Sequence, residues 1–229
     1  MYSLAKTLLT VSLIVIDRQR DHDLLASRTT FDVQYDYVVV GAGSAGSVVA
    51  ARLTENPHIT VLLIEAGGAA TVVSDMPAMT KSLWGSHMDW KFPISRQPNA
   101  YRGYQGNYGT LSQGMVIGGS STINAMAYAR GLPQDFDDWE MEFGLKGWNW
   151  SQVLPYFKRS EQNRDHTLSD RYHGFDGHLS VETIANPRLI HRTAIKAAQQ
   201  LGYNEIDLND PESSTGAAVQ QMTIRFNIF

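Results

Sequence analysis

One stretch near the start of the chain constrains everything after it. It opens Tyr-Asp-Tyr-Val-Val-Val-Gly-Ala-Gly-Ser-Ala-Gly at Tyr35 to Gly46 and closes Leu-Leu-Ile-Glu-Ala-Gly-Gly at Leu62 to Gly68. Tyr37 to Val40 is a short apolar, β-branched run, as in a buried parallel strand. Gly41, Gly43 and Gly46 follow at the spacing Gly-x-Gly-x-x-Gly. Ser44 to Thr54 reads as a helix, because Ala45, Val49 and Leu53 recur every four residues. Thr60 to Ile64 is a second apolar strand, ending on Glu65. Gly41 permits the tight turn, Gly43 lets backbone approach a pyrophosphate, and Gly46 lets helix and strand pack closely. The helix N-terminus offers unpaired N–H groups and a positive dipole end to phosphates. Glu65, 24 residues after Gly41, is placed to accept hydrogen bonds from an adenosine ribose. A Gly-rich turn in another α/β protein is the plain alternative, but strand, turn, helix, strand and terminal acid together outweigh it. The motif does not choose between FAD and NAD. Glu65 argues against NADP, whose 2′-phosphate would meet a carboxylate.

The remaining bulk properties narrow the class. At 229 residues, 43% of them hydrophobic, the chain suits one large domain or two small ones. Its net charge of −4 and lack of a basic tract give no electrostatic footprint for nucleic acid. With no cysteine, disulfides and cysteine-bound metals are excluded. Leu8 to Ile16 is a nine-residue apolar run behind Lys6, too short to span a bilayer. Its length fits a secretory signal core, but Asp17 and Arg18 follow at once where small residues belong. Location, extracellular or otherwise, is therefore left open, and residues 1–34 are read as leader and linker.

A second Gly-rich entry lies further on. Asn99 to Gly114, rich in Gly and Tyr, reads as a surface loop of lid type. The Met- and Trp-rich run before it, Met76 to Trp90, reads as packing. Then Val116-Ile117-Gly118-Gly119-Ser120-Ser121 leads into Thr122-Ile123-Asn124-Ala125-Met126-Ala127. Gly118 and Gly119 form a turn where side chains would obstruct a ligand. Ser120 and Ser121 can cap a following helix, with Asn124 one turn in on the same side. Two Gly-rich helix entries suit an extended cofactor with two ends to hold.

Later segments carry less chemistry. Gln152 to Ser160 is a short helix. His173 and His178, with Gly174 and Gly177, look like a hairpin leading into Leu179-Ser180-Val181. The spacings of His166, His173 and His178 match no ligand pattern, so they are read as solvated turn residues and no metal is expected. Asn186 caps a helix begun by Pro187, striped by Ile190, Ala194, Ala197 and Leu201 and ended by Gly202. Ala217 to Ile224 starts another strand.

These motifs together resemble the glucose–methanol–choline (GMC) oxidoreductases, nearest the insect glucose-dehydrogenase-like members. The resemblance runs from Tyr35 to Arg225. It also includes Ala129-Arg130-Gly131, Asp135-Phe136-Asp137-Asp138-Trp139, Gly147-Trp148-Asn149-Trp150 and Val153 to Lys158. It implies an α/β fold: a Rossmann-like FAD-binding domain with a parallel sheet over residues 35–140. Residues 141–229 would be helical and hairpin segments opening an incomplete α+β substrate domain. It implies FAD, with Gly41, Ala42, Gly43, Ser44, Ala45 and Gly46 at the pyrophosphate and Glu65 at the ribose. Val116, Gly118, Gly119, Ser120, Asn124, Ala125, Met126 and Ala127 would line the flavin end. Some relatives tether FAD through a histidine beside this stretch; Ile123 stands in the matching neighbourhood, so the flavin is expected to be non-covalent.

The resemblance further implies oxidation of an alcohol or sugar CH–OH group by hydride transfer to flavin N5, with a separate electron acceptor. Leu111-Ser112-Gln113-Gly114-Met115 replaces the family's Pro-Arg-Gly-Lys, removing two basic residues near the cofactor. The family's catalytic histidine lies far toward the C-terminus, beyond this chain, so no residue here is carried over as catalytic. The isolated chain is therefore expected to bind FAD weakly or not at all and not to oxidise alcohols. A non-catalytic FAD-binding short form and an NAD-dependent Rossmann dehydrogenase are the alternative readings. Neither a nucleic-acid partner nor a transmembrane span is expected.

Overall fold

Residues 28, 30–184, 187–213 and 215–225 are described by the structure, a computed structural model. The apolar run Leu8 to Ile16 and Asn186 lie outside them. The described residues divide into two compact units on either side of Ala125 and Met126.

The first unit opens with the β-α-β element expected from the sequence. Strand β1 (Tyr37–Val40), helix α1 (Ser44–Leu53) and strand β2 (Val61–Ile64) follow in order. The strands pair in parallel, Tyr37 opposite Val61 and Val40 opposite Ile64. Asp36 fixes the start of this pairing: its carboxylate takes the N–H of Thr60 at 2.7 Å and the Thr60 hydroxyl at 2.8 Å. The strands are not buried as their composition suggests. Val38 is 56% exposed and Val40 80%, because β1 and β2 form a two-stranded sheet.

Helix α2 (Thr80–Leu83) precedes the small antiparallel pair β3 (Phe92–Pro93) and β4 (Thr110–Leu111). The core here is Leu83, Met88, Val116 and Ile123, with Ala70 packed against it. The Met- and Trp-rich run is thus split. Leu83 and Met88 are core, whereas Trp84 and Trp90 stay exposed, Trp90 stacked on Phe92 at 5.7 Å. Buried Asp89 organises the loop around them, accepting N–H groups from Gly85 (2.8 Å), Lys91 (2.9 Å) and Gln113 (3.0 Å). The unit closes with one helical turn, α3 (Ser120–Ile123).

In the second unit, α4 (Pro133–Phe143) and α5 (Trp150–Ser160) pack together. The division expected at residue 140 falls inside α4. Its motif is a set of folding signals. Pro133 sits at the first helical position, and Asp135 accepts the Leu132 N–H at 2.8 Å. Asp137 reaches across to the Trp150 N–H at 2.9 Å, and Asn149 caps α5 through the Gln152 N–H at 3.1 Å. Phe136 is nearly buried and touches Trp139, Trp150 and Phe157, with ring centroids 5.3–5.6 Å apart.

A three-stranded sheet follows, β5 (Glu161–Asn163), β6 (Leu179–Thr183) and, after helix α6 (Leu189–Gln200), β7 (Gln221–Met222). β5 and β6 are parallel, Glu161 opposite Leu179, so the expected hairpin at Gly174 and Gly177 is not formed. Those glycines instead let the connection cross the end of α5. A Cβ on Gly174 would lie 1.8 Å from the Lys158 carbonyl, and one on Gly177 2.3 Å from Ser160. Helix α6 begins later than expected, with Arg188 at its N-cap position and Pro187 before it. Its apolar stripe faces outward: Ile190, Ala194, Ala197 and Leu201 are all exposed and only Ile195 is buried.

Candidate functional site

The site is built from two Gly-rich turns, both in the first unit. Leaving β1, Gly41 takes φ +98°, a region that favours glycine, and its N–H continues the sheet to the Ile64 carbonyl at 2.7 Å. Gly46 must stay bare because a Cβ there would lie 1.9 Å from the Gly41 carbonyl oxygen. The N-terminus of α1 begins after Gly43 and no side chain caps it. Ser44 and Ala45, in its first turn, are exposed.

Glu65 ties this turn to the end of β2. Its Oε2 accepts the Ala42 N–H at 2.7 Å and its Oε1 accepts the Gly67 N–H at 2.8 Å. The carboxylate therefore lies at the sheet's C-terminal edge beside the Gly41–Gly46 turn. A carboxylate has about four acceptor positions. Two are used here, and Glu65 is partly exposed, so capacity for hydroxyl donors remains.

The second turn packs directly on the first. Gly118 (φ +92°) donates its N–H to the Ala42 carbonyl at 2.7 Å. Gly119 (φ +56°) stands so close that a Cβ on it would meet the Gly43 Cα at 2.7 Å. The Ser44 and Ser121 hydroxyls hydrogen-bond across the junction. The serines do not cap α3 as expected. Gly119 holds the N-cap position, while Ser120 Oγ accepts the Gly114 N–H at 3.1 Å. The reason is register: the single turn of α3 starts at Ser120, so both serines lie inside it, and Asn124 falls just after it with extended backbone.

Not every residue expected at the cofactor presents a surface. Val116 is fully buried, Ala42 nearly so, and Gly119 is buried against the first turn. Ser44, Ala45, Ser120, Asn124 and Ala125 are exposed, and Gly41, Gly43, Gly46, Gly118 and Glu65 partly so. Met126 and Ala127 open the second unit. Ile123, in the neighbourhood where a flavin-tethering histidine would stand, is buried core. The bare glycines, the helix end without a side-chain cap and the acid at the turn are features that fit a dinucleotide.

The second unit holds a polar cluster that the sequence did not announce. His173 is not the solvated turn residue its spacing suggests: it is 1% exposed, with Nδ1 2.9 Å from Glu161 and Nε2 2.6 Å from Asp207. Arg130 pairs with Glu161 and donates to the Tyr172 carbonyl. Burial pulls the His173 pKa down, but the hydrogen bonds and charges of Asp207 and Glu161 outweigh it and place it at about 9. Burial pushes Glu161 up, and hydrogen bonds from His173, the Gly174 N–H and Asn163, with the Arg130 charge, hold it below its ordinary value instead. Residues this far apart in sequence carry no spacing signal; only Arg130, inside a family motif, could have drawn notice.

Comparison with known proteins agrees with the geometry. The profile of the family described as GMC oxidoreductase matches residues 35–227, two residues past the end read from the sequence. The chain is 41% identical over 203 residues to the glucose dehydrogenase [FAD, quinone] of Drosophila melanogaster, covering 88% of this chain and 32% of that protein. It is 43% identical over 183 residues to the oxygen-dependent choline dehydrogenase of Xanthomonas axonopodis pv. citri, covering 77% and 32%. Among solved structures, pyridoxine 4-oxidase from Mesorbium loti superposes with a TM-score of 0.77 at 35% identity, covering 84% of this chain and 37% of that one. The chain spans about a third of the length of the curated relatives it matches.

Proposed function

The chain belongs to the GMC oxidoreductase family, whose cofactor is FAD, and from that premise we propose that it is the FAD-binding portion of an enzyme oxidising an alcohol CH–OH group. The observation that carries this reading is the placement of the Glu65 carboxylate on the Gly41–Gly46 turn, with the second Gly turn packed against it. The Gly43, Ser44 and Ala45 end of α1 holds the pyrophosphate, and Glu65 accepts the ribose hydroxyls. Gly118, Ser120, Asn124, Ala125, Met126 and Ala127 meet the flavin end, with buried Gly119 and Val116 behind them. FAD, when bound, supplies the redox chemistry by accepting hydride at N5. Buried Ile123 offers no nucleophile for a tether, so the cofactor is held without a covalent bond.

The substrate is a small alcohol or sugar, with a separate acceptor for the electrons. The reaction also releases a proton, and no residue here is assigned to take it. His173, between two carboxylates and protonated at neutral pH, is unsuited to that task. The test is a flavin titration of the chain and of Glu65→Ala, followed by fluorescence. Loss of the acid is expected to weaken FAD binding by about 1–3 kcal/mol, the effect of losing a charged hydrogen-bond partner. Equal affinity in both proteins would reduce Glu65 to a strand-end anchor and remove the ground for the assignment.

A further inference from the structure

The second unit buries a charged network that FAD binding does not use. Glu161, Asn163, His173, Asn209 and Gln221 are each at most 3% exposed. Among the described residues no buried side-chain polar atom lacks a partner. A neutral imidazole has one N–H, so one of the carboxylates beside His173 would face a lone pair. Only the imidazolium satisfies both. With Arg130, the cluster then holds two cations and two anions, a neutral set that can be buried together.

The outer edge of this network is backbone. Asp207 Oδ1 accepts Gln221 Nε2 at 2.6 Å, and the Gln221 carbonyl accepts the Tyr128 N–H at 2.9 Å. Asp207 also accepts the Asn209 N–H at 2.9 Å. Asn209 in turn accepts the Arg130 N–H at 2.9 Å and donates to the Tyr128 carbonyl at 3.3 Å. One residue further, Ala127 bridges Met222, and the Thr223 N–H donates to the Met126 carbonyl at 2.8 Å. Met126 sits at φ +62°, a region that non-glycine residues occupy where their surroundings hold them.

We propose that Glu161, His173 and Asp207 form a positioning network for the Met126–Tyr128 backbone, with Asp207 joining the ionic core to the strand that carries it. The inference rests on the reading that Met126 and Ala127 border the flavin; the network itself stays within the second unit. The charged and titratable groups around His173 are Glu161 on β5 and Asp207 in the loop after α6. Arg130 and Tyr128 lie behind Glu161, and the Asp207 charge is felt by Asp165. Loss of the His173 proton breaks one of its two carboxylate contacts and loosens Gln221 and Asn209 from Asp207.

The test is amide hydrogen exchange on the 229-residue chain, its Asp207→Asn and Asp207→Glu variants, and the wild type from pH 6 to about pH 10, corrected for intrinsic exchange. In Asp207→Asn, protection at Tyr128, Arg130 and Thr223 should fall at least tenfold while α4 and α5 keep theirs. Asp207→Glu should recover part of it. In the wild type the same three amides should lose protection as pH passes about 9. If Asp207→Asn does not fold, this pH series decides. Wild-type protection in Asp207→Asn, or loss spread equally over α4 and α5, overturns the proposal. With FAD added, Asp207→Asn should also alter the visible flavin spectrum, and an identical spectrum would overturn the link to the cofactor. If the wild type itself leaves the FAD spectrum unchanged, the FAD reading fails while the exchange result still decides the positioning.

Discussion

Asp207 approaches His173 Nε2 to 2.6 Å on the side of the ring opposite Glu161, so a buried imidazolium is held between two carboxylates. The pH dependence of stability follows from the directions of the shifts. His173 is raised from 6.5 to about 9, so its contribution is complete below 6.5 and is lost as pH rises through 9. Glu161 and Asp207 are lowered from 4.5 and 3.8, so theirs is complete above 4.5 and is lost as pH falls. The second unit should be most stable between about pH 4.5 and 6.5. The alkaline limb should be worth about 3 kcal/mol at most. Urea titrations across pH, following tryptophan fluorescence, would read it, and equal midpoints at pH 6 and pH 10 would contradict it. His173→Gln should flatten that limb.

The contrast between the two units shows what a sequence discloses. The β1–α1–β2 element was readable because its constraints are local: a glycine at φ +98°, a helix period and an acid at a strand end lie within a few dozen residues. The His173 network was not, because Arg130, Glu161, His173, Asp207 and Gln221 meet only through the tertiary fold. The α6 stripe has a helical period, but period alone does not say what covers it. The two serines likewise do not fix where α3 starts and ends. Ser120 bonds back to Gly114 instead of capping the helix, and the backbone turns extended at Asn124.

Asp89 should be a stability residue of the first unit. Burial raises its pKa, but the N–H groups of Gly85, Lys91 and Gln113, with the Ser112 hydroxyl, outweigh burial and hold it at about 2. Its support is therefore present above pH 3.8 and is lost as pH falls toward 2. Asp89→Asn keeps the shape but replaces one acceptor oxygen by an NH₂ group and removes the charge. A loss of about 1.5–3 kcal/mol is expected. Denaturant unfolding at pH 7 would measure it, and a change under 0.5 kcal/mol would show that the loop is held by other contacts.

Phe136 joins α4 to α5 through Trp139, Trp150 and Phe157. Phe136→Ala should cost about 3–5 kcal/mol through lost burial and the cavity left behind. The helix pair should loosen, which hydrogen exchange along α4 and α5 would detect. Native protection in both helices would mean that the caps from Asp135, Asp137 and Asn149 suffice without the aromatic contact.

Gly43 and Gly46 separate fold from ligand within one turn. A Cβ on Gly46 would meet the Gly41 carbonyl oxygen at 1.9 Å, and both are backbone-bound, so nothing flexible can give way. A Cβ on Gly43 would have as its nearest neighbour the Gly119 Cα at 3.8 Å, an ordinary contact, and Gly43 has a φ of −80° that any residue adopts. Gly46→Ala should therefore destabilise the first unit by several kcal/mol, because helix α1 must shift off β1. Gly43→Ala should leave stability within about 0.5 kcal/mol, the range of substitutions that meet no special constraint. It should nevertheless weaken FAD, since the added methyl stands where backbone must approach the pyrophosphate. Thermal unfolding and flavin titration of the two variants would separate the effects. If Gly43→Ala is as stable as the wild type and binds FAD equally well, the cofactor does not approach this turn.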